Sequence, residues 1–169
     1  GLCAVWVSVF RGTPLLAQLF WLCYGLPQLI VPLQRVSVMT LIVWGVAFNA
    51  SSYMSETLRG ALSSVNKGQM EASLACGMTR MQGFWHIVFP QAARVAVPGL
   101  SNNFVDIIKQ SSLAFTLGVT EIMAVARMEG STNLKFLESF TAVMVVYWLI
   151  VTFFNYVQKL LEKWLSRMY

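Results

Sequence analysis

Three long stretches of this chain contain no charged side chain, and their length predicts helices that cross a membrane. They run from Gly12 to Gln34, from Val36 to Ser55 and from Ser139 to Gln158. Each provides about the 20 residues that a helix needs to cross a hydrocarbon core roughly 30 Å thick. In the last stretch, strongly apolar side chains favour insertion by about 4 kcal/mol in total, which outweighs the cost of Thr152 and Asn155.

A fourth, weaker span is predicted between Arg94 and about Thr120, because the loop before it and the C-terminal segment must lie on the same side. This segment contains Asp106 and Lys109. Two ionisable groups at bilayer depth cost about 5 to 7 kcal/mol on the insertion scale, so the segment should not face lipid. Asp106 and Lys109 are three residues apart, so they should be neighbours on a helix and face a bundle interior or a wet cavity.

Composition and charge agree with four spans and give them an orientation. The chain is 57% hydrophobic and 11% charged, with a net charge of +5. Cytoplasmic loops collect lysine and arginine, and the four-span layout places three cations outside: Arg35, Arg127 and Lys135. The cations expected inside are Arg11, Arg59, Lys67, Arg80, Arg94, Lys159, Lys163 and Arg167. The charge therefore reflects orientation in a lipid bilayer, and we expect no nucleic acid partner.

The single histidine and the scattered cysteines predict no metal site. Cys3, Cys23 and Cys76 share no spacing with one another or with His86. A lone imidazole cannot build a coordination shell. The absence of a catalytic partner for His86 also argues against a membrane enzyme.

The loop between the second and third strong spans predicts a helix, a turn and a second helix. Residues 71–76 favour a helix, Gly77 can adopt the left-handed conformation that closes it, and Thr79 can cap the next helix. Met70, Leu74 and Met78 recur every four residues and form an apolar stripe. Either this stripe docks in the groove of a partner protein, or the hairpin packs on the spans of its own chain.

This loop resembles the EAA loop of importer-type ABC permeases, through Glu71-Ala72, then Gly77, then Ile87 and Pro90. In that family the loop forms short coupling helices that sit in a groove on the ATP-hydrolysing subunit. The third residue of the motif is usually Ala, whereas this chain has Ser73. The resemblance assigns ATPase coupling to Gly68, Glu71, Ala72, Ser73, Gly77, Ile87 and Pro90.

Three further segments resemble the polar amino acid branch of that family: Arg11-Gly12-Thr13-Pro14-Leu15-Leu16, Gly68-Gln69 and Pro90-Gln91-Ala92. Lys109-Gln110-Ser111-Ser112-Leu113 also resembles a family stretch, but Gln110 replaces an acidic residue, which weakens the case for a cationic substrate. The runs 112–121 and 133–136, with Tyr147-Trp148, resemble permeases for cystine and related sulfur amino acids.

The resemblance implies an all-α integral membrane protein with the MetI-like fold, in which residues 1–169 form a single transmembrane domain and residues 66–91 its coupling loop. Family members carry one further N-terminal helix, so we expect the first spanning helix to be missing from this sequence. The chain has no Gly-rich nucleotide-binding loop; ATP and Mg²⁺ should bind a separate ATPase, and this transport subunit should bind no cofactor and catalyse no reaction itself. The other expected partners are a second, identical or similar permease and an extracytoplasmic solute-binding protein, at a bacterial plasma membrane.

Polar side chains within the predicted spans are candidates for the substrate path, because polar groups at bilayer depth are costly unless they are used or paired. They are Asn49, Ser52, Tyr53, Glu56, Asn103, Asp106, Lys109, Gln110 and Ser111. For each of them, hydrogen bonding between helices is an equally good explanation. A passive channel or ATP-independent carrier would also need such residues, but it would have no use for a cytoplasmic docking hairpin.

Overall fold

The computed structural model describes residues 1–167, and within this range the chain is helical and contains no strand, which confirms the all-α expectation. The α-helices are α1 (Leu2–Gly12), α2 (Leu15–Phe20), α3 (Leu26–Leu29), α4 (Val38–Ser64), α5 (Lys67–Ala75), α6 (Arg80–Gly83), α7 (Phe89–Gln110), α8 (Ile122–Asn133) and α9 (Phe136–Arg167). Two π-helical turns (Trp21–Gly25 and Phe84–Val88) and two 3-10 helices (Val31–Arg35 and Ser111–Leu117) lie between them.

The stretch from Gly12 to Gln34 is not the single straight span that we predicted. A helix ends at Gly12, and Leu2–Gly12 and Leu15–Leu29 meet at an angle of 108°. The bend follows from Pro14, which has no N–H and forces Thr13 into extended backbone (φ −124°, ψ 148°). The two helices are apolar enough to cross a membrane only if the bent pair counts as one span.

The second predicted span is present but is longer than the stretch from Val36 to Ser55. Helix α4 begins at Val38, where the hydroxyl of Ser37 accepts a hydrogen bond from the N–H of Thr40 at 3.2 Å. It continues to Ser64, past Glu56 and Arg59, the two charged residues at the predicted end of this span. Glu56 and Arg59 are tolerated there because their side chains pair with each other at 2.7 Å.

The fourth predicted span corresponds to α7, which begins earlier than Arg94 and stops being an α-helix at Gln110. It has 22 residues, enough to span, but it is less apolar than the two helices that qualify, 38–64 and 136–163. The last strong span is therefore confirmed within α9, whereas the membrane crossing by α7 stays a prediction.

Helices α4 and α7 form the central antiparallel pair. A Cβ atom on Gly99 would lie only 2.5 Å from Thr57 Cγ2, so the two backbones approach closely at this point. One turn further along α7, Asn103 Nδ2 donates to Thr57 Oγ1 at 3.0 Å. The pair places the start of α7 near the end of α4, and the end of α7 level with the middle of α4.

The buried core lies at one end of this pair, and exposed apolar surface makes up most of α9. Side chains from α2, the π-helical turn that follows it, the start of α4 and the 3-10 helix after α7 meet in the core, namely Leu19, Leu22, Cys23, Leu41, Ile42, Ala114 and Leu117. The apolar stretch of α9 has a mean hydropathy of 1.8, yet only 6% of it is buried. Such a surface suits a hydrocarbon solvent.

Candidate functional site

A helical hairpin joins α4 to α7, and its turn has the chemistry that the sequence predicted. Gly77 has φ +82°, which confirms the left-handed position. The N–H of Met78 donates to the carbonyl of Ser73 at 3.1 Å, which closes α5 in a Schellman arrangement. Thr79 caps α6 through a capping box with Gln82, also as predicted.

The inner face of the hairpin is built from small residues. Ser73 is buried, and its hydroxyl donates to the carbonyl of Met70 at 2.7 Å. A Cβ atom on Gly83 would overlap Ser73 Oγ and lie 3.1 Å from Met70 Sδ. Ser73 and Met70 therefore pack against the second arm, so part of the predicted apolar stripe is buried within the hairpin.

The outer face of the hairpin presents the remaining residues of the resembled motif. Glu71, Ala72 and Gly77 are exposed, whereas Ile87 and Pro90 are half-buried. Gly68 lies at the base, where its N–H donates to Asn66 Oδ1 at 2.8 Å. Also at the base, Gln91 Nε2 donates to Gln69 Oε1 at 3.3 Å and joins the two arms. Binding of an ATPase by this face stays a prediction.

Sequence reasoning missed an apolar stripe on the second arm. Met81, Trp85 and Phe89 are 66%, 54% and 44% exposed, and the rings of Trp85 and Phe89 lie 5.0 Å apart. Their spacing of four residues was the signal that could have revealed them. Leu74 on the first arm is also exposed, so both arms of the hairpin carry exposed apolar side chains.

A polar cavity of about 320 Å³ lies between α4 and α7. It brings together five of the nine candidate path residues and is lined by Asn49, Ala50, Tyr53, Asn103, Asp106, Ile107 and Gln110. Asn49 is 11 residues after the start of α4 at Val38, which corresponds to about 16 Å along a helix. This is about half of a hydrocarbon core roughly 30 Å thick, so a crossing that begins at Val38 would place the cavity near the bilayer midplane.

The predicted ion pair lies at the edge of this cavity. Lys109 Nζ is 2.6 Å from Asp106 Oδ1, and the two side chains are 54% and 53% exposed. A charged pair at this depth is costly in contact with lipid. The face of α7 that carries it therefore has to meet either another protein chain or water.

The other candidate path residues have partners elsewhere. Ser52 is fully buried, and its hydroxyl donates to the carbonyl of Asn49 at 2.6 Å. Glu56 pairs with Arg59 and also with Arg11 at 3.3 Å, which places both arginines at the same end of the bundle, as the charge distribution predicted. Ser111 is exposed and donates to a backbone carbonyl of its own turn. A substrate role for these three candidates stays a prediction.

The elbow between α1 and α2 contains a polar centre that the sequence did not reveal. The carbonyl of Phe10 accepts from Gln18 Nε2 at 2.9 Å and from Asn49 Nδ2 at 3.0 Å. Asn49 Nδ2 also donates to Gln18 Oε1 at 3.0 Å. A glutamine four residues after Pro14, in an otherwise apolar helix, was the available signal.

Comparison with known proteins gives one family and several close relatives. Residues 2–167 match the family described as "Binding-protein-dependent transport system inner membrane component". The chain is 46% identical over 165 residues to a probable amino-acid ABC transporter permease, PatM of Vibrio harveyi, covering 98% of this chain and 74% of PatM. It is 37% identical over 165 residues to the L-cystine transport system permease TcyB of Bacillus subtilis, covering 97% of this chain and 69% of TcyB.

A solved structure shares the fold. The crystal structure of an amino acid ABC transporter with histidines superimposes with a TM-score of 0.86 at 28% sequence identity. The match covers 95% of this chain and 73% of the other. The likeness thus extends over the elbow, the hairpin, the central helix pair and α9.

Proposed function

The chain belongs to the family of binding-protein-dependent transport system inner membrane components, as a permease subunit of an amino acid ABC importer, and from this premise we propose that it transports L-cystine or a related sulfur amino acid. Its relatives are transport subunits of the inner membrane and not enzymes, and the superposition confirms the MetI-like fold. Membership in the family implies a separate ATPase and a solute-binding protein.

The observation that carries the proposal is the electrical neutrality of the mid-depth cavity. Its single ionisable carboxylate, among the described lining residues, is Asp106, and this carboxylate is paired with Lys109. Gln110 adds an amide dipole where the family stretch that this segment resembles usually has an acidic residue. A cavity without net charge favours a zwitterion over a cation such as arginine, because an added cation would have no unpaired carboxylate there. The likeness to TcyB supports cystine as that zwitterion.

The coupling part of the proposal concerns the exposed face of the hairpin. We expect Glu71, Ala72 and Gly77, with Leu74 beside them, to sit in a groove of the ATPase, since a helical hairpin with exposed apolar side chains is suited to such docking. Binding of ATP would then move the hairpin, and α4 and α7 with it, between two arrangements of the cavity. The charged face of α7 would meet a second permease subunit across the substrate path.

Reconstitution in proteoliposomes tests the proposed function. The permease is purified with its ATPase and binding protein, and uptake of radiolabelled L-cystine, arginine, glutamine and octopine is measured with and without ATP. ATP-dependent uptake of cystine in preference to the other three is the expected result. Preference for another amino acid would reject the substrate, and uptake that does not need ATP would favour a passive channel or carrier.

A further inference from the structure

Asn49 connects the elbow of the chain to the mid-depth cavity, and its orientation follows from the position of a proline. In a continuous helix the carbonyl of Phe10 would accept from the N–H four residues later, but that residue is Pro14, which has no N–H. The side chains of Gln18 and Asn49 replace the missing donor, at 2.9 and 3.0 Å.

This carbonyl fixes which end of each amide faces it, because a carbonyl oxygen can only accept. Gln18 Nε2 also lies within hydrogen-bond distance of the carbonyl of Thr13 at 3.0 Å and of its hydroxyl at 2.8 Å, and its two hydrogens are shared among these acceptors, so the nitrogen of Gln18 is directed toward the elbow. Gln18 Oε1 is thereby directed toward Asn49 and accepts from Nδ2 at 3.0 Å. Rotating the Asn49 amide by half a turn would place its oxygen against the carbonyl oxygen of Phe10 and against Gln18 Oε1.

The side-chain oxygen of Asn49 takes no part in these hydrogen bonds. Asn49 Oδ1 has no hydrogen-bond partner within the described residues, although every fully buried polar side-chain atom in that part of the chain has one. Since Asn49 is otherwise buried and is one of the residues that line the cavity of about 320 Å³, this oxygen opens onto the cavity.

We infer that Asn49 Oδ1 is a fixed acceptor for the ammonium group of the transported amino acid, and that Gln18 is a positioning residue that holds it in this orientation. The ammonium has three donors and no acceptor, so an oxygen that cannot rotate selects for it and against ligands that lack a donor. The nearby carboxylate of Asp106 is occupied by Lys109 at 2.6 Å. The inference rests on the proposed function only in that the substrate is an amino acid.

Binding measurements on the permease with its ATPase, in lipid nanodiscs and without the binding protein, test this inference. The two probes are L-cystine and 3,3′-dithiodipropionate, which is the same disulfide without its amino groups. The wild type should prefer L-cystine. Asn49→Leu should reduce this preference about tenfold, because a hydrogen bond to a charged donor is lost.

Gln18→Leu provides the second test, because Gln18 does not line this cavity. It removes one of the two acceptors that hold the Asn49 amide and leaves the Phe10 carbonyl as the other, so the preference should fall by a smaller factor, with KM for uptake raised and kcat kept. Ser51→Ala is the matched control: it removes the bond from Trp6 Nε1 to Ser51 Oγ at 3.2 Å, which joins the same two helices away from the cavity. It should leave the preference unchanged.

Equal preference in Gln18→Leu and the wild type would overturn the inference, and so would an equal loss in Ser51→Ala. Thermal stability of each variant separates a folding defect from a recognition defect, and Gln18→Leu decides the question if Asn49→Leu does not fold. Should the wild type transport an amino acid other than cystine, the proposed substrate fails. The same assay then compares that amino acid with its analogue that lacks the amino group, since every amino acid substrate carries the ammonium group.

Discussion

The hairpin and the mid-depth cavity both collect polar residues, but they use them differently. In the hairpin, Ser73, Thr79 and Gln82 bond to backbone groups and fix the shape of the turn. At the cavity, the side chains of Asp106 and Lys109 pair with each other and remain more than half exposed. Polar side chains that shape the hairpin turn thus form hydrogen bonds with nearby backbone groups. The charged side chains at the cavity instead pair with each other, and a substrate or a second chain could replace either partner.

The largest expected effect comes from breaking the close packing inside the hairpin. Gly83→Val should abolish ATP-driven uptake, because its side chain would overlap Ser73 and force the two arms apart. Gly60→Val is the matched control, since it adds the same β-branched residue to a helix where nothing lies within 4 Å. Uptake in proteoliposomes is the measurement, with membrane insertion checked for both variants. Equal loss in both would show that the inner face of the hairpin is unimportant.

The turn of the hairpin can be strained without any steric overlap. Gly77 has φ +82° and open space around its Cα, so a substitution acts through the backbone alone. Gly77→Val should weaken coupling about tenfold, since the left-handed conformation costs an L-residue about 1–2 kcal/mol, whereas Gly77→Asn should be tolerated better. Uptake rates with a fixed amount of ATPase measure the difference. Equal rates for valine and asparagine would contradict this account.

On the cavity side, the spacing of α4 and α7 should depend on a single methyl group. Gly99→Ala should lower the melting temperature by about 3 °C, because its Cβ would approach Thr57 Cγ2 to 2.5 Å. Thr57→Ser removes that methyl group and keeps the hydroxyl that Asn103 uses. The double variant should therefore be more stable than Gly99→Ala alone in thermal unfolding. Additive losses would mean that the contact at Gly99 does not set the spacing.

The smallest expected effect concerns charge at the cavity. Gln110→Asp adds a carboxylate to a lining whose described ionisable group is already paired, so preference should shift several-fold toward cationic amino acids. Competition of arginine against cystine in the uptake assay measures this shift, with Gln110→Asn as the uncharged control. An unchanged ratio would remove Gln110 from the substrate path.

Local chemistry and long apolar stretches were predictable from the sequence. The left-handed Gly77, the cap at Thr79 and the pairing of Asp106 with Lys109 all depend on neighbours within a few residues. The second partner of Glu56 was not predicted, because Arg11, which shares the charge of Glu56 with Arg59, is distant in sequence.

Contacts between distant residues account for the other differences. Ser73 was assigned to a docking surface, but its burial depends on Gly83 in the other arm. Asn49 was a candidate path residue, yet its amide nitrogen serves a carbonyl that Pro14, 35 positions earlier, leaves without a donor. Periodicity carries no information about such pairs, so only the packed helices reveal them.

Because α9 is sparsely packed, its tilt should depend on the thickness of the bilayer. Its charge-free stretch, Ser139 to Gln158, has 20 residues and is about 30 Å long, which matches a hydrocarbon core of about 30 Å. In a thinner bilayer a helix of this length tilts, and one with few protein neighbours takes its tilt largely from the lipid. Longer acyl chains should therefore bring α9 closer to the membrane normal and, through its aromatic contact between Phe154 and Phe104, act on α7.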